Sequence, residues 1–264
     1  LRGYRKIPLH APMQETLAAA VVMATDWKGH GSFINPMCGS GTIAIEAALI
    51  ALGRAPGLLR HNYGFMFIQG FPETLWQDLR KKARNSAKKK LRSFIIASDI
   101  DPEAVQAARQ NAQTAGVDQL IQFQTCPYES TPTPEGGGII MLNPPYGERM
   151  GATVDVYRER VRKEFPAGRK IIIRKAAAGN NAVNSGKTHG WEALGKIYRG
   201  IGDFFKKTGD GYRGYIFTGN PAMIKQVGLQ TKRRLLFYNG EIECRLLEYE
   251  LYAGSRKNMS PPVN

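Results

Sequence analysis

Four short apolar runs stop abruptly at clusters of turn residues, and two of them lead straight into helical patterns. Ser32-Phe33-Ile34 runs into Asn35-Pro36-Met37-Cys38-Gly39-Ser40-Gly41-Thr42, and a helical pattern follows over 43–52, closed by Gly53. Phe94-Ile95-Ile96-Ala97 ends at Ser98-Asp99. There Asp101 has the character of an N-cap, Pro102 suits the first helical position, Val105, Ala108 and Ala112 share a face, and Gly116 ends the pattern. Residues 120–124 form a third strand signal, and Ile139-Ile140-Met141-Leu142 a fourth that halts at Asn143-Pro144-Pro145-Tyr146. A chain built this way is constrained to an α/β architecture, a parallel sheet with helices on both faces whose ligands sit at the carboxyl ends of the strands.

The rest of the pattern fits that frame. Helices are expected at 14–24, at 192–207 and at 72–92, the last burying Leu75, Trp76, Leu79, Ala83 and Ala87 and showing the eight cations between Arg80 and Arg92. Trp27 is also expected in the core, and Trp191 at the start of a helix. Strands are expected at 212–218, 233–238 and 241–251, the last two joined by the hairpin dipeptide Asn239-Gly240. Residues 151–190, with nine Lys or Arg against three acids, read as a basic insertion within one domain over 1–253, and 254–264 as a disordered tail. The first residue is Leu1 rather than Met, so we expect a fragment of a longer protein.

Composition narrows the function. Thirty-seven Lys plus Arg against 22 Asp plus Glu give +15, a field that attracts polyanions and makes nucleic acid the first candidate partner. No stretch approaches the ~20 uninterrupted apolar residues of a membrane span. Three dispersed cysteines without a CxxC, and four scattered histidines, suggest neither disulfides nor a metal site and favour a reducing, cytoplasmic setting.

The chemistry concentrates at strand ends. Gly39-Ser40-Gly41 admits close backbone approach at a helix N-terminus, although a purely structural turn reads the same way. Asp99 is placed to accept from a ribose diol; Asp101 is a plain helix cap. Ser40 is no hydrolase nucleophile, since Met37 stands where the G-x-S-x-G pattern needs glycine. In Asn143-Pro144-Pro145-Tyr146 the prolines stiffen the loop, Asn143 offers a carbonyl acceptor and Tyr146 a flat face. Together these suit the exocyclic amine of a base drawn out of its stack. The Asn143 side chain and the Pro144 carbonyl would hold its two N–H groups and favour the pyramidal nitrogen that attacks a methyl carbon.

These residues resemble the methyltransferase domain of the THUMP-associated, S-adenosylmethionine-dependent RNA methyltransferases, in particular the 23S rRNA guanine-N2 subgroup. The resemblance rests on Asn35 to Thr42 (D-P-[FM]-C-G-[ST]-G-T in the family) and on Asn143-Pro144-Pro145-Tyr146-Gly147-Glu148-Arg149. Arg2-Gly3-Tyr4-Arg5, residues 11–20, residues 98–102 and Thr218-Gly219-Asn220 add to it. It implies the class I, Rossmann-like methyltransferase fold, a seven-stranded, mostly parallel sheet with a reversed last strand, and an upstream THUMP domain outside this chain. It also implies S-adenosylmethionine held by Asn35, Pro36, Met37, Gly39, Gly41, Asp99, Cys126 and Asn143. Catalysis would fall to Asn143, Pro144 and Tyr146, RNA contacts to Glu148 and Arg149, and the substrate would be guanine N2 of 23S rRNA. Asn35 and Cys126 stand where the family carries acids, with Glu129 as a substitute for the second, so weakened cofactor binding is expected, and strengthened binding on restoring Asp at 35. Two rivals stay open: an adenine-N6 methyltransferase, and a non-catalytic RNA-binding relative.

Overall fold

The computed structural model describes residues 2–7, 13–146, 185–208 and 211–252, with side chains from residue 190 onward in the helix that begins at Ser185. The elements are α1 (Glu15–Met23), β1 (Ser32–Pro36), α2 (Thr42–Ala51), α3 (Glu73–Ser86), β2 (Ile95–Asp99), α4 (Pro102–Ala115), β3 (Ile121–Thr125), β4 (Gly138–Leu142), α5 (Ser185–Thr208), β5 (Tyr212–Thr218), α6 (Pro221–Ile224), β6 (Arg233–Asn239) and β7 (Ile242–Glu250).

The seven strands form one sheet in the order β3-β2-β1-β4-β5-β7-β6. Pairing is parallel from β3 to β5, and β7 runs antiparallel to both its neighbours. The expected architecture is therefore present, with the last strand in sequence reversed. Chain order switches direction between the neighbours β1 and β4, which opens a crevice at their carboxyl ends.

Pleating sorts the apolar residues. Phe33, Ile95, Ile139 and Met141 face the side carrying α1, α2 and α4, where they meet Val21, Ala44, Ala48, Ala108 and Ala112. Ile34, Ile96, Ile140 and Leu142 face the opposite side, against Tyr198, Ile201 and Phe205 of α5. Central strands buried on both faces explain why their sequences are nearly continuous apolar runs. Trp27 is in the core, 4.9 Å from the Phe33 ring.

Four expectations need correction. The helix expected over 72–92 ends at Ser86, because the Ser86 hydroxyl bonds back to the Ala83 carbonyl (3.1 Å) and the Lys88 amide donates to the Leu52 carbonyl (2.8 Å), drawing the chain away. Its apolar face is not in the core: Leu75 and Leu79 are 56% and 49% exposed, and Trp76 meets Tyr63 and Phe65 edge-on in the preceding loop. The buried member of α3 is Arg80, whose guanidinium donates to the carbonyls of Leu58 (3.2 Å) and Arg60 (3.0 Å) and lies 5.5 Å from the Trp76 ring. One of the eight supposed surface cations is thus a structural strut. Finally, α5 begins at Ser185, inside the expected insertion, so Trp191 lies beyond its first turn. The remainder of 151–190 up to residue 184, and the tail 254–264, lie outside the described residues. Among the described residues no helix is long and apolar enough to cross a membrane.

Candidate active site

The crevice is built from the ends of β1, β2 and β4. After Pro36 the chain turns through Met37 and Gly39, both at positive φ (55° and 53°), and Cys38 donates its amide to the Ser98 carbonyl at 2.9 Å. The two glycines of the turn do different work. A Cβ on Gly39 would meet nothing within 4 Å, so this position leaves open space for a ligand. On Gly41 (φ 80°) it would lie 2.8 Å from the Ala108 Cβ, so that glycine is demanded by the packing of α2 against α4.

Asp99 ties the turn to β2. One carboxylate oxygen accepts from the Gly39 amide (2.9 Å) and the other from the Asp101 amide (3.1 Å). Burial pushes its carboxyl up from the usual range, against the opposing pull of those donors. Asp101 is the cap it was expected to be, accepting from the Glu103 amide at 3.0 Å. Cys126 donates its backbone amide to the Asp99 carbonyl (3.0 Å), and burial raises its thiol. Glu129 is exposed and its carboxylate engages the Tyr128 hydroxyl.

Two asparagines sit at these strand ends, Asn35 on β1 and Asn143 just past β4. Asn35, fully buried, donates from Nδ2 to the Met141 carbonyl of β4 at 2.8 Å, which leaves its Oδ1 without a hydrogen-bond partner. Asn143, one residue past β4, likewise has a buried Oδ1 with no partner. An unsatisfied buried acceptor costs about 1–3 kcal/mol, and two of the six unpartnered buried polar atoms among the described residues lie at these strand ends, where a donor-bearing or cationic ligand would pair them. The Asn35 acceptor, together with the open space at Gly39, fits S-adenosylmethionine, whose methionine end is cationic, and the Asn143 acceptor fits an N–H of the group to be methylated.

The loop after β4 is braced from behind by residues whose part the sequence did not disclose. The Tyr146 hydroxyl accepts from Asn239 Nδ2 at 3.0 Å and has the Cys244 thiol at 3.9 Å; burial pushes it up to about 12. Its ring lies so close to Gly219 that any Cβ there would come within 2.8 Å of two ring carbons. Tyr198 of α5 shares a 2.6 Å hydrogen bond with Thr218, whose hydroxyl also accepts the Asn220 amide at 3.0 Å. Thr218-Gly219-Asn220 was visible only as a family match and Asn239 only as a turn residue; both now read as the backing of the asparagine-proline loop. Tyr146 is accordingly a ring held at its hydroxyl by Asn239 and packed against Gly219. Glu148 and Arg149 lie outside the described residues. Among the described residues no three His, Cys, Asp or Glu gather as metal ligands.

A seven-stranded sheet with this order, a glycine turn after β1, an acid ending β2 and an asparagine-proline loop after β4 define the class I methyltransferase fold. Within it, the chain belongs to the family UPF0020, the RMKL-like methyltransferase domain, whose model matches residues 2–175. It is 32% identical over 260 residues to the ribosomal RNA large subunit methyltransferase K/L of Syntrophotalea carbinolica, an alignment covering 95% of this chain and 31% of that protein. The structure of a possible methylase from Clostridium difficile 630 matches with a TM-score of 0.74 at 28% identity, over 100% of this chain and 57% of that one. SMU.472, a putative methyltransferase complexed with SAH, matches with a TM-score of 0.73 at 24% identity, over 96% of this chain and 55% of that one. The chain thus spans about a third of its curated relative and little more than half of these structures.

Proposed function

We propose that this chain is the catalytic domain of an S-adenosylmethionine-dependent RNA methyltransferase acting on an exocyclic base amine, guanine N2 of 23S rRNA. The observation that carries the reading is the buried, unpartnered Oδ1 of Asn143 at the switch-point crevice. The relative from Syntrophotalea, named for large-subunit rRNA, supports the substrate class, and the SAH held by SMU.472 supports the cofactor.

S-adenosylmethionine supplies an electrophilic methyl group on a sulfonium. This chain's residues hold the acceptor to meet it. Asn143 Oδ1 takes one N–H of the base amine and the Pro144 carbonyl the other, turning the nitrogen lone pair out of conjugation and toward the methyl. The proline pair fixes both acceptors before the base arrives, so little ordering is left for the transition state. The Tyr146 ring stacks on the flipped base. Asn35 Oδ1, Gly39 and Asp99 line the cofactor half, with Pro36, Met37, Gly41 and Cys126 shaping it. Glu148 and Arg149 are assigned to RNA contacts, with residues 1–253 as one catalytic unit in a cytoplasmic protein.

The test is transfer of tritiated methyl to unmethylated large-subunit rRNA, followed by nucleoside analysis. Label in N2-methylguanosine is expected. Label in N6-methyladenosine would replace guanine by adenine, and no transfer with intact cofactor binding would favour the non-catalytic alternative.

A further inference from the structure

The buried face of α4 is a run of small apolar residues, Ala104, Val105, Ala107, Ala108, Ala112 and Ala115, interrupted by one amide, Asn111, which is fully buried. All of that amide's hydrogen-bonding capacity is used on chain far away in sequence. Its Oδ1 accepts from the backbone amides of Lys6 (3.0 Å) and Ile7 (3.2 Å), and its Nδ2 donates to the carbonyls of Ile7 (3.2 Å) and Ser40 (3.1 Å). Ser40 is the residue between the two glycines of the β1–α2 turn. One side chain therefore fastens the N-terminal segment and the glycine turn to the same point of α4. Asp99 holds the turn only through the Gly39 amide. The other end of the N-terminal segment is held separately, by Tyr4 and Arg2 on Glu46.

We propose that Asn111 is a positioning residue for the cofactor: it holds the Ser40 carbonyl back against α4, so that the Gly39 side of the turn stays open, and it makes residues 2–7 part of that cofactor half-site. This deepens the function proposed above and rests on it. Asn111→Asp keeps the acceptor for the Lys6 and Ile7 amides but sets an oxygen against the Ser40 carbonyl and also against the Ile7 carbonyl, so it frees the turn and weakens the hold on the N-terminal segment without removing it.

The expected result is an affinity for S-adenosylhomocysteine, measured by titration calorimetry, about tenfold or more below that of the parent, the scale of a lost buried hydrogen bond. KM for S-adenosylmethionine should rise by a similar factor while kcat stays within about threefold, a split that loss of folded protein would not produce. In the parent chain, S-adenosylhomocysteine should slow hydrogen exchange at the Lys6 and Ile7 amides, a readout independent of whether the variant folds. Affinity within about twofold for a folded Asn111→Asp, or unchanged exchange at those amides, overturns the proposal alone. No binding by the parent overturns the cofactor reading and the proposal with it.

Discussion

Glu46 carries a prediction whose size follows directly from its surroundings. It sits one turn into α2, 1% exposed, with one carboxylate oxygen accepting from the Tyr4 hydroxyl (2.8 Å) and ion-paired at 3.1 Å with Arg2 Nε, which does not hydrogen-bond to it, and the other oxygen without a hydrogen-bond partner. Loss of water outweighs the attraction of Arg2, and the carboxyl is pushed from 4.5 up to about 7. The folded protein therefore binds this proton more tightly than the unfolded chain does. Stability from the group is complete below pH 4.5 and is lost as the pH rises through the window up to about 7. At about 1.4 kcal/mol per decade, the loss over that window is about 3 kcal/mol. Glu46→Gln keeps an oxygen for Tyr4 and Arg2 and removes the titration. Urea unfolding of parent and variant, followed from pH 5 to pH 8, should show the parent's midpoint falling relative to the variant's by roughly 1 M, at a slope of about 3 kcal/mol per molar. Parallel profiles across that range would refute the argument, because they would mean that Arg2 keeps the carboxylate ionised at both ends.

The remaining predictions concern the crevice. Asn143→Ala should lower single-turnover methyl transfer roughly a hundredfold or more while leaving cofactor affinity within about threefold, the outcome expected if its acceptor acts on the amine as proposed; unchanged turnover would remove Asn143 from the mechanism. Asp99→Ala should weaken S-adenosylhomocysteine binding in calorimetry by about 1.5–3 kcal/mol, because a charged acceptor is lost and the Gly39 amide is released with it. Asn35→Asp, expected from sequence to strengthen cofactor binding, should instead destabilise the fold, since it places a carboxylate oxygen against the Met141 carbonyl that Asn35 Nδ2 now approaches to 2.8 Å. The penalty in urea should exceed about 1 kcal/mol and be larger at pH 8 than at pH 5, where a protonated Asp regains a donor; an equal or higher stability at pH 8 would contradict the buried donor role.

What the sequence disclosed was whatever depends on neighbours in the chain. Strand, turn and cap chemistry are local, so the end of β2 at Asp99, the Asp101 cap, the Gly116 stop and the Asn239-Gly240 hairpin were all legible. The failures share a different cause. The periodicity of α3 gave an amphipathic helix correctly, but periodicity does not say what covers the apolar side. Arg80 is the buried residue because the loop before α3 presents the Leu58 and Arg60 carbonyls, to which its guanidinium donates. Asn111 looked like one more small polar residue in an alanine-rich helix, and its meaning lies in Ser40, 71 residues away, and in Lys6, 105 away.

The substitution at Asn35 shows how far local reading carries at a site. Counting charge, an asparagine in place of an acid is a loss near a cationic ligand. Counting atoms, it keeps an acceptor and gains a donor, and the donor is spent on Met141, two residues before Asn143. An aspartate at 35 would need a proton or another partner to approach that carbonyl, whereas the asparagine holds β1 against β4 and still presents Oδ1. The strands that carry Asn35 and lead to Asn143, the proposed cofactor and base acceptors, are the same β1–β4 pair. Under that proposal, a residue locking them together would set the distance between methyl and amine, to which a methyl transfer is highly sensitive. On that argument, position 35 contributes through geometry what it gives up in charge.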